Sequence, residues 1–173
     1  MYINESQVRG YSSRTLYKSF GRRLVEDAAA RSPEVFLSHS HLDTDLVEDI
    51  IAWLDTQGLH VYVDWRDPGM PAETSAETAN RIRTKITQCN FFLLLATNRA
   101  LRSRWVPWEL GYCDGTKGVN KTLILPVADP AGNWEGAEYL RIYPSVESTS
   151  DNKWAVFPAG QDKGGKLLEH LLK

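Results

Sequence analysis

Glu109 is the residue of this chain whose neighbours in the sequence most favour chemistry. Pro107 suits the first position of a helix, which puts Glu109 in the first turn, where the helix dipole favours an ionised carboxylate. Trp105 lies four residues before Glu109, and Trp108 and Tyr112 form another pair one turn apart, so the spacing predicts an anion beside aromatic surface. A glutamate that only stabilises its own helix, with indoles that fill the core, explains the same residues. The spacing alone leaves both interpretations open.

A second polar group follows the apolar run from Val35 to Leu37 and begins with Ser38. In it, His39, His41 and Asp43 alternate in a way that could suggest a metal site. The alternation crosses a predicted strand-to-helix turn and matches no known ligand geometry, so we expect no metal there. The chain also lacks the Gly-x-Ser-x-Gly elbow of serine hydrolases and the glycine fingerprints of phosphate-binding loops, which excludes those enzyme classes.

A long loop from Trp65 to Glu73 mixes aromatic, charged and turn residues. Loops of this length in α/β folds often act as lids or contact a partner, although a merely solvated crossover fits the composition as well.

The positions of these side chains in space depend on the strands and helices that carry them. Short apolar runs alternate with helical patterns along most of the chain. The predicted strands run from Val35 to Leu37, Leu59 to Asp64, Phe91 to Leu95, Thr122 to Val127 and Trp154 to Phe157. Helices are predicted between Ser40 and Gly58, from Ser75 to Cys89, around Pro107 to Tyr112, and at Leu167 to Leu172 near the end. The alternation predicts an α/β fold, a flavodoxin-like five-stranded parallel sheet of order 2-1-3-4-5 with helices on both faces.

An additional amphipathic helix is predicted from Ser12 to Ala30, because four apolar residues recur there at helical spacing: Leu16, Phe20, Leu24 and Ala28. We therefore expect residues 1–33 to form an N-terminal helical extension and residues 34–173 to form the α/β domain.

The predicted strand order places the topological switch point between the first and third strands, where ligands bind in open α/β sheets. The loops that leave those strands carry Ser38 to Ser40 and Thr97 to Trp108. We therefore expect the working pocket at the carboxyl edge of the sheet, centred on Glu109.

The composition of the 173 residues limits the classes of partner that we expect this protein to bind. With 20 Lys and Arg against 22 Asp and Glu, the net charge is -2, which favours neither nucleic acid nor anionic lipid. The longest apolar run, Phe91 to Ala96, is far shorter than a membrane helix needs, and the polar start is no signal peptide. Cys89 and Cys113 share no metal-ligand spacing, so free thiols in the cytoplasm are expected.

Three segments resemble the signature regions of Toll/interleukin-1 receptor (TIR) domains. They are Val35 to Ser40 with Asp43, Gly58 to Asp64, and Ser103 to Leu110, and the resemblance covers about Glu34 to Val127. TIR domains that act on NAD carry a glutamate on the helix after the third strand, in a serine, aromatic, glutamate context that Ser103, Trp105 and Glu109 match. The resemblance therefore implies that Glu109 is the catalytic carboxylate.

The chain is also similar to stand-alone bacterial TIR proteins of Thoeris anti-phage defence, which make a nucleotide signal from NAD. The resemblance implies an enzyme that releases nicotinamide and makes an ADP-ribose-type or cyclic product, with NAD as substrate and no further cofactor or metal. It also implies self-association through the Trp65 to Glu73 loop and a downstream effector on which the nucleotide product acts. The residues expected to bind substrate are Ser38, His39, Asp43, Trp65, Ser103, Trp105 and Trp108.

Two other functions stay open on the sequence. One is a non-catalytic TIR module that only self-associates, and the other is an enzyme like nucleoside deoxyribosyltransferases, which also place a glutamate against a ribosyl centre. Receiver domains and flavodoxins are excluded, since Leu94 to Thr97 contains no phospho-accepting aspartate and the loop after the first strand lacks a flavin phosphate cradle.

Overall fold

The central sheet is mostly parallel and carries the candidate site at its carboxyl edge. The computed structural model describes residues 2–13, 34–71, 73 and 75–171. The strands are β1 Ile3–Asn4, β2 Val35–Ser38, β3 Val61–Tyr62, β4 Phe91–Ala96, β5 Thr122–Ala128, β6 Ser145–Ser148, β7 Trp154–Phe157 and β8 Lys166–Leu167. The α-helices are α1 Glu5–Val8, α2 Thr44–Thr56, α3 Ala76–Gln88 and α4 Val106–Lys117.

The predicted class of fold is confirmed, and so is the order of its first four strands. The sheet runs β3-β2-β4-β5-β6-β7-β8, and its strands are parallel as far as β6. β2 and β4 are therefore neighbours, as the predicted switch point requires.

The fifth parallel strand lies earlier in the chain than predicted. It is β6, which pairs with β5, whereas Trp154–Phe157 forms β7 and runs antiparallel to β6. Only Val146 of β6 is buried, so this strand lacks the continuous apolar run that marks β4 and β5. The hairpin turn contains Asn152 in a left-handed conformation, with φ of 59°.

The helix predicted at the end of the chain is also wrong. Lys166 and Leu167 pair with β7 as β8, and the 3₁₀ helix Leu168–His170 follows. Pairing with an existing strand gives the backbone N–H and C=O groups of such a short segment hydrogen-bond partners. Starting an α-helix is less favourable, because several residues must be ordered to form its first hydrogen bond.

The two faces of the sheet bury alternate residues of each strand. On one face Leu93 and Leu95 pack with α2 through its predicted apolar side, Leu46, Val47, Ile50, Ile51 and Leu54. On the other face Phe92 and Leu94 pack with α3 and α4, which contribute Ile82, Ile86, Val106 and Leu110. Helices therefore cover both faces, as predicted.

A segment before β2 also joins this core. β1 pairs in parallel with the end of β5, and Ile3 is buried. The carboxylate of Asp49, inside α2, accepts hydrogen bonds from the backbone N–H groups of Gly10 and Ser12 and from the Ser12 hydroxyl. Apart from the turn at residues 12–13, the predicted helix from Ser12 to Ala30 lies outside the described residues, and the division at residue 33 stays a prediction.

Within the described ranges, no helix is long and apolar enough to cross a membrane.

Candidate active site

Glu109 sits where the sequence places it, in the first turn of α4. The Ser103 hydroxyl accepts hydrogen bonds from the N–H groups of Trp105 (3.2 Å) and Val106 (3.4 Å), so it satisfies two donors at the start of the helix. Pro107 lies in the same turn, and the Glu109 N–H donates to the carbonyl of Trp105 at 2.9 Å. Ser103, expected to bind substrate, thus holds the helix that carries Glu109.

The Glu109 side chain reaches the end of β2. There the Ser38 hydroxyl donates a hydrogen bond of 2.5 Å to Oε2 of Glu109. Both residues are buried, with 6% of Glu109 and 1% of Ser38 exposed. These two residues therefore meet at the carboxyl edge of the sheet, where β2 and β4 are neighbours.

Burial controls the charge of Glu109. Loss of solvent raises the pKa of its carboxyl group to about 8, the negative charge of Asp64 adds to the increase, and the Ser38 hydrogen bond opposes it. The sequence analysis expects the helix N-terminus to keep this group ionised, whereas burial acts in the opposite direction and raises its pKa.

Asp64 is a neighbour that the sequence analysis did not select as a site residue. It begins the 3₁₀ helix Asp64–Arg66 directly after β3, and Oδ1 accepts from the Trp65 N–H at 2.9 Å. Nε2 of His39 lies 3.9 Å from Oδ1 of Asp64, while Nδ1 of His39 lies 3.1 Å from the carbonyl oxygen of Leu37. The only sequence signal for Asp64 is its place at the carboxyl end of the second predicted strand.

Asp43 does not face an open space. Oδ2 accepts from the Thr97 hydroxyl at 2.5 Å and Oδ1 accepts from the Arg99 guanidinium at 3.0 Å, with no exposed side-chain surface. The ribose or phosphate contact expected of Asp43 therefore has no support in this arrangement. Among the described residues, no group of three His, Cys, Asp or Glu side chains could hold a metal ion.

Trp105, directly before α4, and Trp108, inside it, have different surroundings. The rings of Trp105 and Trp108 meet edge to face, with centroids 5.2 Å apart. Trp108 also stacks on Tyr112, and the Arg83 guanidinium of α3 lies over the Trp108 ring at 5.1 Å. Trp108 is thus engaged between α3 and α4, whereas Trp105 lies one helical turn before Glu109.

The loop from Trp65 to Glu73 is anchored through Asp67. Oδ2 of Asp67 accepts from the Tyr62 hydroxyl at 2.8 Å and lies 3.4 Å from Nζ of Lys85, and Oδ1 accepts from the Gly69 N–H. Trp65 is 43% exposed at the start of the loop and lies against the Arg66 guanidinium. The loop therefore has a fixed base and offers an exposed indole beside Asp64.

A cavity of about 710 Å³ lies elsewhere, between β5, β6 and the 3₁₀ helix Glu138–Ile142. Its wall includes Trp134, whose indole N–H donates to the carbonyl of Ala96 at 2.6 Å. Glu109 does not line it. We assign the candidate chemistry to Glu109 because of its charge and contacts, since cavity size alone indicates no reaction.

The chemistry available at Glu109 is the stabilisation of positive charge. A buried carboxyl group with a pKa of about 8 is largely neutral at pH 7, and a cation placed beside it favours the ionised form. An ionised carboxylate in a site of low dielectric then interacts strongly with a cationic centre.

Comparison with known proteins finds a family model and named relatives that this chain resembles. A family model described as a TIR domain matches residues 35–158. The "Probable 3' cyclic ADP-D-ribose synthase ThsB'" of Bacillus cereus (strain MSX-D12) is 31% identical over 163 residues, which are 88% of this chain and 80% of that protein. The "Putative cyclic ADP-D-ribose synthase TIR2" of Cytobacillus dafuensis is 29% identical over 94 residues, 53% of this chain and 24% of that protein.

Proposed function

This chain belongs to the TIR domain family, and we propose that it cleaves NAD, releases nicotinamide and converts the remainder into a cyclic ADP-ribose. The observation that carries the proposal is the buried carboxyl of Glu109, held by the Ser38 hydroxyl at the carboxyl edge of the sheet. Two similar proteins named as cyclic ADP-D-ribose synthases support the class of reaction. We also propose that the product is a signal in anti-phage defence of the Thoeris type.

In the first step the bond between C1′ of the ribose and the nicotinamide nitrogen breaks. Its electron pair stays on nicotinamide, which leaves as a neutral molecule, and positive charge develops on the ribose. The Glu109 carboxylate stabilises that charge, as carboxylates do in other cleavages of glycosidic bonds. The nicotinamide ring of NAD is already cationic, so its approach favours the ionised form of Glu109.

In the second step an oxygen or nitrogen atom of the same ADP-ribosyl group attacks C1′, and any proton on that atom is lost to water or to the Glu109 carboxylate. Attack by water instead yields ADP-ribose. Because the Ser38 and Glu109 side chains are withdrawn from solvent, the site favours the internal nucleophile over water.

Several finer assignments belong to the same proposal. The exposed Trp65, and Trp105 one helical turn before Glu109, supply aromatic surface for a base or for nicotinamide. His39, which lies 3.9 Å from Asp64, contacts the ribose or phosphates. The chain self-associates through the Trp65 to Glu73 loop, and its product acts on a separate effector. NAD is the substrate, and no cofactor takes part.

The test is nicotinamide release from NAD by the purified chain, measured by chromatography over a range of protein concentrations, with the product identified by mass spectrometry. We expect turnover that Glu109→Gln reduces at least about a hundredfold, the scale of a lost transition-state contact. Glu5→Gln is the matched control, because Glu5 is another buried glutamate but pairs with Arg9 in α1.

Equal turnover by the wild type and Glu109→Gln would contradict the proposal. Base exchange on deoxynucleosides without NAD cleavage would instead indicate a deoxyribosyltransferase, and self-association without turnover at any concentration would indicate a non-catalytic module.

A further inference from the structure

The loops that follow β2 and β4 are joined by a buried hydrogen bond in addition to the contact between Ser38 and Glu109. The Thr97 hydroxyl donates to Oδ2 of Asp43 at 2.5 Å, and both residues are buried. Asp43 ends the 3₁₀ helix His41–Asp43 that precedes α2. Thr97 follows β4 directly.

This contact continues toward the helix that carries Glu109. The Thr97 oxygen also accepts from the N–H of Ala100 at 2.9 Å, at the start of the 3₁₀ helix Ala100–Arg102. That helix leads to Ser103, whose hydroxyl accepts from the N–H groups of Trp105 and Val106 at the start of α4. A shift of Asp43 or Thr97 therefore displaces the segment on which the position of α4 depends.

The same two segments are thus linked at more than one point. Ser38 pairs with Leu94 across β2 and β4, so both loops leave the sheet side by side. Beyond that edge, one link joins Ser38 to Glu109, and a second group of contacts joins Asp43 to Thr97 and Arg99. The contacts of Asp43 add to the link between Ser38 and Glu109, because they fix each loop at a further point.

We propose that Asp43 is a positioning residue, which acts through Thr97 to hold the Glu109 carboxyl against Ser38 and does not itself bind substrate. The proposal rests on the function proposed above. Both oxygens of Asp43 are occupied, one by Thr97 and one by Arg99, and the carboxylate has no exposed surface with which to meet a ribose. Misplacement of a reacting group by about 1 Å can cost on the order of a hundredfold in rate, so such a restraint affects the chemical step.

The test compares three substitutions of Thr97. Thr97→Val and Thr97→Ala remove the hydroxyl, and Thr97→Ala does so without placing a methyl group against the buried carboxylate. Thr97→Ser keeps the hydroxyl. Thr122→Val is the matched control, because Thr122 is an equally buried threonine at the opposite end of the sheet, where its hydroxyl donates to the carbonyl of Gly118 at 3.1 Å.

We expect Thr97→Val and Thr97→Ala to lower kcat for nicotinamide release by about ten- to a hundredfold, with KM changed less than about threefold. Thr97→Ser should recover most of the rate, and Thr122→Val should keep it even where its melting temperature falls. A rise in KM at unchanged kcat would overturn the proposal, since it would indicate a role in binding. Equal loss of kcat in Thr122→Val would do the same, since it would indicate general loosening.

A second measurement does not depend on turnover. The ionisation midpoint of Glu109 can be followed by NMR on protein with ¹³C-labelled glutamate side chains. Loss of the restraint should weaken the Ser38 hydrogen bond, which lowers the pKa of Glu109, so the midpoint should rise in Thr97→Ala, as in Ser38→Ala, but not in Thr97→Ser or Thr122→Val. An unchanged midpoint in Thr97→Ala would overturn the positioning role. A shifted midpoint in a protein that never cleaves NAD would support the restraint and contradict only the proposed function.

Discussion

The hydroxyl of Ser38 lies 2.5 Å from a carboxylate oxygen of Glu109, although 71 residues separate them in the chain. The contact exists because β2 and β4 are neighbours, so the residue that ends β2 lies beside the helix reached from β4. It forms where water is excluded, and this exclusion raises the pKa of Glu109 to about 8.

The pH dependence of the reaction follows from this pKa. The free enzyme needs the ionised carboxylate, so kcat/KM for NAD should rise about tenfold per pH unit below about 8 and level off above it. A pH series of initial rates measures this rising limb of the pH profile, with Glu109→Gln as the blank for spontaneous NAD hydrolysis. A profile that is flat between pH 6 and 9 would argue against the carboxylate as the reacting form.

Two substitutions should move that limb in opposite directions. The Ser38 hydrogen bond lowers the pKa of Glu109, so Ser38→Ala should shift the limb to higher pH. The Asp64 charge raises the same pKa, so Asp64→Asn should shift the limb to lower pH, by less because Asp64 is partly exposed. The pH series for both variants tests this, and shifts in the same direction contradict the described arrangement.

Glu109 should also make the protein less stable at alkaline pH. The folded state raises its pKa from 4.5 to about 8, so the folded state binds the proton more tightly than the unfolded state. Stability from this group is fully present below pH 4.5 and is lost as the pH rises to about 8, by a few kcal/mol at most. Melting temperatures of the wild type and Glu109→Gln across this range should diverge, with the variant more stable at pH 8 and above.

Trp65 and Trp108 should respond differently to removal. Trp65→Ala should raise KM for NAD by about tenfold, as expected for a lost stacking contact, with little change in melting temperature because the ring is exposed. Trp108→Ala should lower the melting temperature by several degrees, because Trp108 packs on Tyr112 and under Arg83. Steady-state kinetics and thermal denaturation of both variants distinguish the roles. The reverse pattern would assign the substrate contact to Trp108.

Self-association should depend on the loop after β3. Pro68 is exposed in the segment that Asp67 anchors, so Pro68→Glu should reduce the fraction of dimer and larger species in sedimentation velocity without unfolding the loop. Asn120→Glu, at an exposed position before β5, is the control and should leave the distribution unchanged. Equal effects from the two changes would indicate general repulsion between molecules instead of a loop contact.

The sequence predicts the parts of this fold that depend on apolar pattern. β4 and β5 bury every residue, so their runs are unmistakable, and α2 presents its apolar side at helical spacing. Glu109 could be placed in a helical turn because Pro107 suits the start of a helix. β6 could not be found in this way, because only one of its four residues is buried.

Within the candidate site, the sequence analysis expects Asp43 and Ser103 to bind substrate, and these assignments stay predictions. The contacts of the two side chains could not be predicted: Asp43 bonds to Thr97 and Arg99, and the Ser103 hydroxyl accepts from two N–H groups at the start of α4. The charge state of Glu109 was also beyond the sequence, because it depends on how completely the surrounding chain removes water.

The pairing of β1 with β5 has a consequence for synthesis on the ribosome. The Asn4 side chain donates to the carbonyl of Asp129, a partner 125 positions later in the chain. At roughly 5–20 residues per second, the ribosome needs on the order of 10 s to make that partner after Asn4. Ile3 and Asn4 must therefore wait for this partner while β2, β3 and β4 are made, so β1 joins the sheet later than strands that are translated after it.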